Sequence, residues 1–249
     1  MTKLRIWGFL AVLCLLWACN FTEEIHFNED GTGKLNIHFN GDEMMAMVAS
    51  MGGDSLPNEK AIDTTLVFKE LLEEKKDSIA KLAPEEQAKL KKLEPFSFHM
   101  VMDQEKGKMS FDLLSEFEKV EEVNDAFNAF QDASLLGPQA GTSGATPAMG
   151  SQEQTTKVNY MFTENSFKRT ITIIDEALFK KGMDSLKSAE MFMSGSTYTF
   201  KYHFPRKVKS TNVEGATFSL DGKTMTYAVD FLQMMKDPES IVLEVELED

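Results

Sequence analysis

Cysteine is nearly absent from this chain, since only Cys14 and Cys19 occur among its 249 residues. The body that follows residue 19 has no thiol, which excludes a disulfide or a cysteine-based metal site there. Long apolar runs are also lacking, because residues 6–16 form a run too short to span a bilayer comfortably. Basic residues number 26 against 40 acidic ones, so a nucleic-acid partner is not expected.

The first nineteen residues have the layout of a signal peptide. Lys3 and Arg5 supply a positive start, the apolar run follows, and polar residues come directly after it. The segment ends in Leu16-Trp17-Ala18-Cys19, which resembles the lipobox of bacterial lipoprotein precursors. Trp17 departs from that pattern, in which a small or β-branched residue is usual. An uncleaved membrane anchor and an ordinary secretory peptide are the alternatives.

The lipobox resemblance implies that residues 1–18 are removed and that Cys19 carries acyl chains such as palmitate. Several acyl chains hold a protein on a membrane far more firmly than one does. Loss of Lys3 and Arg5 leaves 24 basic residues against the 40 acidic ones. The resemblance further implies a cell-envelope lipoprotein, and Asn20, which is not aspartate, favours the outer membrane over the inner one.

The apolar fraction of 42% is enough for one sizeable core or two small ones. Hairpin and helix signals alternate on both sides of residues 137–156, a segment whose only large apolar residue is Met149. Such a composition predicts a flexible linker or insertion. We therefore expect an α+β protein with an N-terminal half at 19–136 and a C-terminal half at 157–249, either as two domains or as one split domain.

Four antiparallel hairpins are predicted from alternating apolar residues around turn residues. The first pairs residues 21–28 with 34–40, placing Ile25 opposite Ile37 and Phe27 opposite Leu35. The other three pair 96–102 with 109–113, 158–162 with 167–173, and Phe218 with Met225 across Asp221-Gly222.

Helices are predicted between these hairpins from apolar residues at three- and four-residue spacing. They cover 42–52, 64–82, a short segment from Pro84, a segment opened by a Ser115–Glu118 capping box, and a segment from the cap residue Asp175 to about Met193.

A second resemblance lies near the C-terminus. Residues 204–212, beginning Phe204-Pro205, precede the turn at Asp221-Gly222, and an Asp30-Gly31-Thr32-Gly33 turn follows Cys19 closely. These turn residues resemble the LppM-type domain of bacterial lipoproteins. The resemblance implies an envelope lipoprotein with an α+β or β-rich domain, and it brings no catalytic residue.

Three residue sets are candidates for chemistry. Ser78 and Lys81 match the S-x-x-K spacing of acylating serine enzymes, but the companion motifs are missing, so a solvated helix face is the better interpretation. His26 and His38 lie on the polar face of the first hairpin, near Glu24, where they would offer metal ligands, while His99 and His203 lie on distant strands. The third set comprises Met44, Met45, Met47 and Met51.

Thioethers bind Cu(I), but they also fill cores, and the helical spacing of the methionines favours the core. The aromatic stripe of the strand near residue 200 is predicted to be core as well, because polar residues occupy its other face. Its members are Tyr198, Phe200, Tyr202 and Phe204.

The leading functional hypothesis is a non-catalytic, lipid-anchored envelope module that binds an unknown protein or apolar ligand, with no assigned catalytic residue, metal or cofactor. The first alternative is an envelope enzyme of unrecognised type. The second is a copper or zinc carrier that uses His26 and His38 or the methionines at 44–51.

Overall fold

The computed structural model describes residues 20–50, 61–124, 126, 128 and 155–249. The twelve strands in these ranges are β1 Asn20–Phe27, β2 Gly33–Asn40, β3 Ile62–Val67, β4 Phe96–Asp103, β5 Lys108–Phe117, β6 Thr156–Phe162, β7 Ser166–Ile173, β8 Thr197–His203, β9 Val208–Thr211, β10 Thr217–Phe218, β11 Thr224–Asp230 and β12 Leu243–Leu247.

Six α-helices lie in the same ranges: α1 Asp42–Ser50, α2 Phe68–Glu74, α3 Lys76–Ile79, α4 Pro84–Lys91, α5 Glu176–Met193 and α6 Phe231–Lys236. Short 3-10 turns occupy Val120–Val123 and Pro238–Ser240. No described helix combines the length and the apolar character needed to cross a bilayer. The fold is α+β, as the sequence predicts.

The strands form two sheets. The larger has eight strands in the order β10-β11-β8-β1-β2-β5-β4-β3, and the smaller has four in the order β6-β7-β12-β9. Strands that precede residues 137–156 in the chain and strands that follow them belong to the same larger sheet, because β8 pairs in parallel with β1. This parallel pair is the only one among the described strands, and it brings together segments about 175 residues apart in the chain.

One face of the larger sheet packs against the smaller sheet and forms the core. Alternating residues of β1 point into it, and Phe27 stacks on Phe162 with ring centroids 4.3 Å apart. The predicted aromatic stripe of β8 is confirmed as core, since its rings are at most 4% exposed. Burial of these large rings supplies the main apolar stabilisation of the contact between the sheets.

The predicted hairpins at β4–β5, β6–β7 and β10–β11 are confirmed, including the pairing of Phe218 with Met225. The predicted register of the first hairpin is wrong by two residues, because Ile25 lies opposite Leu35 and Phe27 lies opposite Gly33. A Cβ at Gly33 would lie 2.2 Å from the backbone oxygen of His26 and 2.5 Å from the Phe117 ring, so only glycine fits at this position.

Two predicted helices begin at the wrong place. The segment Ile62–Val67 is a strand, because its β-branched residues pair with β4 at the edge of the sheet, and helix begins only at Phe68. Ser115 is not a helix cap, because it lies within β5, where its hydroxyl donates to the carbonyl oxygen of Pro95 at 2.9 Å. The apolar alternation of β5 continues through it to Phe117.

The predicted starting positions of the remaining helices are confirmed. Asp175 caps α5 by accepting a hydrogen bond from the backbone N–H of Leu178 at 2.9 Å, and Pro84 opens α4. Helix α1 begins at Asp42. The predicted flexible segment 137–156 lies outside the described residues except for its last two residues, and Thr156 already begins β6.

Candidate functional site on the outer sheet face

The outward face of the eight-stranded sheet is polar and carries all four histidines of the chain. Because side chains alternate along a strand, the residues of β1 and β8 that do not enter the core point outward together. We call this surface the histidine face. Its members on the five strands β8, β1, β2, β5 and β4 include Lys201, His203, Glu24, His26, Asn36, His38, Asp112 and His99.

A first cluster, the Glu24 cluster, forms where β1 and β8 run side by side. The parallel register places Glu24 beside Lys201 and His26 beside His203. Three side-chain nitrogens surround Oε1 of Glu24: Nε2 of His203 at 2.7 Å, Nζ of Lys201 at 3.0 Å and Nε2 of His26 at 3.2 Å. One carboxylate oxygen is therefore the meeting point of two imidazoles and an ammonium group.

The two imidazoles of the Glu24 cluster are stacked. Their ring centroids lie 3.8 Å apart with an interplanar angle of 5°, so both Nε2 atoms are presented on the same side. The other ring nitrogen of His203, Nδ1, lies 3.0 Å from the hydroxyl of Thr224 on β11. Thr224 therefore holds the ring of His203 with its Nε2 directed at Glu24.

Partial burial alters the acid–base behaviour of this cluster. Burial by itself would raise the pKa of the Glu24 carboxyl, but the hydrogen bonds from Lys201 and His203 outweigh it and hold that pKa below its ordinary value. Desolvation lowers the pKa of His203 despite its hydrogen bond to Glu24. The Glu24 carboxyl is therefore negative over a wide pH range.

A second cluster lies on β2, β5 and β4. Nδ1 of His38 lies 2.8 Å from Oδ1 of Asp112, and the amide of Asn36 donates to the same oxygen at 3.1 Å. His99 lies farther from this carboxylate, with Nδ1 3.9 Å from Oδ2, and its Nε2 lies 2.9 Å from Oδ1 of Asp63. The hydrogen bond to Asp112 raises the pKa of His38 and outweighs the opposing effect of burial.

A third polar group is buried between the sheets. Arg169 donates two hydrogen bonds of 3.0 Å to the two carboxylate oxygens of Glu23. The hydroxyls of Tyr198 and Tyr202 donate to the same carboxylate at 2.8 and 2.6 Å. Neither charged side chain is more than 1% exposed, so this group serves the core rather than a ligand in solvent.

Burial and the charge of Glu23 raise the pKa of both tyrosine hydroxyls well above its ordinary value. The tyrosines therefore stay protonated and keep donating to Glu23. Burial would lower the pKa of Arg169, but the charge of Glu23 outweighs it and raises that pKa, so the guanidinium stays charged. The guanidinium also lies over the Phe200 ring, 4.7 Å from its centroid.

The structure separates some of the candidate residues from one another. His26 and His38 do not come together: His38 lies opposite Thr22, four residues along β1 from His26, or about 13 Å away. His203, placed on a distant strand from sequence, is the residue that His26 contacts. Ser78 and Lys81 are both exposed, and no hydrogen bond joins their side chains in the described part of the chain.

The methionine and lipobox candidates are described only in part. Met45 is buried in the core and Met44 packs partly against it, which agrees with the core interpretation. Met51 and the whole lipobox, Leu16 to Cys19, lie outside the described residues, and the side chain of Met47 does too.

Sequence reasoning missed the role of His203 and the buried pair of Glu23 with Arg169. The sequence did contain a signal for His203, because Lys201 and His203 occupy the polar positions of β8 just as Glu24 and His26 do on β1. No such signal predicts the parallel pairing of β1 with β8, because no local sequence pattern marks a contact between segments so distant in the chain.

No protein-family profile matches this chain, and no curated protein matches it significantly. Among solved structures, it is similar to the folded domain of LppM from Mycobacterium tuberculosis, determined by NMR. The TM-score is 0.40, the sequence identity is 9%, and the match covers 95% of each chain.

Proposed function

We propose that this chain is a lipid-anchored cell-envelope protein whose α+β domain is a non-catalytic binding module. The observation that carries the proposal is the position of the lipobox, Leu16 to Cys19, directly before Asn20, the first residue of β1. Acyl chains on Cys19 would therefore join the folded domain without a linker.

The position of β1 within the sheet supports a fixed orientation on the membrane. β1 is an interior strand, paired with β2 on one side and β8 on the other, so its first residue cannot swing away from the domain. Asn40 and Thr197 lie beside Asn20 and share the membrane-proximal end. Phe27, at the other end of β1, lies about 23 Å farther from the bilayer if the strand stands upright.

A protein partner is favoured by the edge of the larger sheet. The β10–β11 hairpin exposes two large apolar side chains, Phe218 and Leu220, to solvent. Exposed apolar residues at a sheet edge are typical of contact sites with other proteins. The excess of acidic residues in the body argues against nucleic acid as the partner.

Labelling with a palmitate analogue in a bacterial host tests the anchor. We expect the wild-type chain and Cys14→Ala to be labelled, because Cys14 lies in the segment that is removed, and Cys19→Ala to be unlabelled and to keep its signal peptide. Labelling of Cys19→Ala, or its loss in Cys14→Ala alone, would contradict the proposal.

We further propose the outer membrane as the location, because Asn20 is not the aspartate associated with inner-membrane retention. Membrane fractionation in a host with that sorting rule tests this step. Wild type should fractionate with the outer membrane and Asn20→Asp with the inner membrane. An inner-membrane wild type would refute the location while leaving the anchor intact.

Crosslinking of the native lipidated protein, followed by mass spectrometry, tests the binding module. A photo-reactive residue at position 220 should capture a specific envelope protein, and the same residue at the exposed position of Glu214 is the matched control. Equal capture from both positions would contradict a contact at the sheet edge. Catalytic turnover of any substrate by the purified protein would contradict the proposed non-catalytic role.

A further inference from the structure

The Glu24 cluster has the composition of a metal site. Glu24, His26 and His203 each offer one ligand atom, and these atoms all lie within 4.8 Å of one another. Two imidazole nitrogens and one carboxylate oxygen form a donor set that binds Zn²⁺ and related divalent ions in proteins. We propose that this cluster is a binding site for a divalent transition-metal ion, with Zn²⁺ as its occupant.

The spacing of the donors fits one ion after small side-chain movements. Two ligand atoms at about 2.1 Å from a tetrahedral ion lie about 3.4 Å from each other. The present distances from Glu24 Oε1 to the two Nε2 atoms, 2.7 and 3.2 Å, are both shorter than that spacing, so the three groups must move slightly apart to admit an ion. His26 is 54% exposed and Glu24 is 25% exposed, so small rotations of these two side chains would widen both distances.

The surroundings of the cluster support the same conclusion. Metal-bound histidines commonly use their second ring nitrogen in a hydrogen bond that fixes the ring, and Thr224 makes this contact with Nδ1 of His203. The ligands come from two adjacent strands in the middle of the sheet, where the backbone is held by pairing on both sides. Three protein ligands on an open face leave a fourth position for water or a partner's side chain.

Lys201 is the competitor of the metal. Its ammonium group lies 3.0 Å from Oε1 of Glu24 and repels a cation at the same point. Because Lys201 is 40% exposed, it can swing into solvent when an ion binds. If the cluster is a metal site, removal of Lys201 should raise its affinity for the metal. If the cluster is only an ion-pair network, removal of Lys201 should bring no such gain.

Isothermal titration with ZnCl₂ tests the proposal. The full chain is used in detergent and carries no polyhistidine tag, because such a tag would bind zinc itself. We expect one equivalent of Zn²⁺ to bind with micromolar affinity. Absence of saturable binding at zinc concentrations far above micromolar would overturn the proposal.

Variants locate the bound ion. His203→Ala and Glu24→Gln should each weaken zinc binding at least tenfold, whereas His99→Ala, a histidine of the same face but of the other cluster, should leave it unchanged. Equal losses in His99→Ala would place the ion elsewhere and refute the site. Far-UV circular dichroism and thermal unfolding establish that each variant is folded.

Lys201→Met is decisive if the ligand variants do not fold. Removal of the competing ammonium should tighten zinc binding several-fold, and unchanged or weaker binding would overturn the proposal. Cu²⁺ provides a second readout, because its electron paramagnetic resonance spectrum should show coupling to two imidazole nitrogens in wild type and to one in His26→Ala. Failure of these tests leaves the lipid anchor and the binding module unaffected, since neither depends on a metal.

Discussion

Two consecutive glutamates of β1 have opposite surroundings. Glu23 is 0% exposed and is held by Arg169 and two tyrosine hydroxyls, whereas Glu24, one residue later, faces outward among His26, His203 and Lys201. The alternation of a strand separates them, because adjacent side chains point to opposite faces of the sheet.

The comparison shows how burial decides what a carboxylate does. The partners of Glu23 are fixed in the core, so its charge is committed to holding the two sheets together. The partners of Glu24 are partly exposed and can move, so its carboxylate remains available to an ion from solution. The same residue type therefore contributes to stability on one face and to a candidate site on the other.

The largest expected effect follows from loss of one member of the buried pair. Arg169→Ala leaves Glu23 charged and buried, and breaking such a pair costs about 3–5 kcal/mol in the free energy of unfolding. Urea unfolding of the full chain, followed by circular dichroism, measures this loss. Glu24→Ala is the matched control and should cost less than about 1 kcal/mol. Similar losses in both variants would contradict the division between the two faces.

A double-mutant cycle sharpens the same comparison. Glu23→Ala combined with Arg169→Ala should cost less than the sum of the single losses, with a coupling of about 1–3 kcal/mol, because the second change removes a charge that the first left unpaired. Glu24→Ala combined with Arg169→Ala should be additive within about 0.5 kcal/mol, since these residues share no partner. An additive Glu23–Arg169 cycle would show that the two charges do not depend on each other.

Thr224→Val tests the proposed zinc site of the Glu24 cluster through a residue that is not itself a ligand of the ion. Loss of the hydroxyl frees the ring of His203, and we expect zinc affinity to fall about tenfold, in the range found for such supporting residues. Calorimetric titration measures the change, and Thr226→Val, on the same strand, is the control. A loss of stability without a loss of affinity would show that Thr224 is only structural.

The smallest expected effect is the pH dependence from His38 and Asp112. A raised His38 pKa stabilises the fold below about pH 6.5, and this contribution is lost as the pH rises through the folded pKa. For Asp112, burial favours a higher pKa, but hydrogen bonds from His38 and Asn36 outweigh it and lower the pKa. Its contribution is therefore present above about pH 4 and lost on further acidification.

The stability difference between wild type and His38→Asn should therefore be largest between about pH 4 and 6.5. His38 is 36% exposed, so we expect less than about 1 kcal/mol. Urea unfolding across this pH range measures it, with Lys34→Gln as a control whose effect should be flat from about pH 5.5 upward, because its partner Glu116 is ionised there. A difference that grows above pH 7 would have the wrong sign.

Local patterns predicted all four hairpins, with a wrong register in the first, and the starts of α4 and α5, because alternation and capping depend on neighbouring residues. These patterns failed where contacts between residues distant in the chain determine the structure. The register of β1 and β2 places Gly33 where a Cβ would meet the backbone of His26 and the Phe117 ring on β5, and the strand at Ile62–Val67 pairs with β4. The predicted proximity of His26 and His38 failed together with that register, because the shift moves His38 from a position opposite Glu24 to one opposite Thr22.

The sequence by itself determined the absence of thiols from the body, the α+β class, the apolar stripes that became the core, and the lipobox on which the proposed anchor depends. Only the tertiary structure decided that β8 lies parallel to β1, that Glu23 meets Arg169 in the core, and that His203 reaches Glu24 and His26. The reason is physical: turns, caps and alternation act over a few residues, whereas the parallel pairing is set by how the two sheets bury their apolar faces.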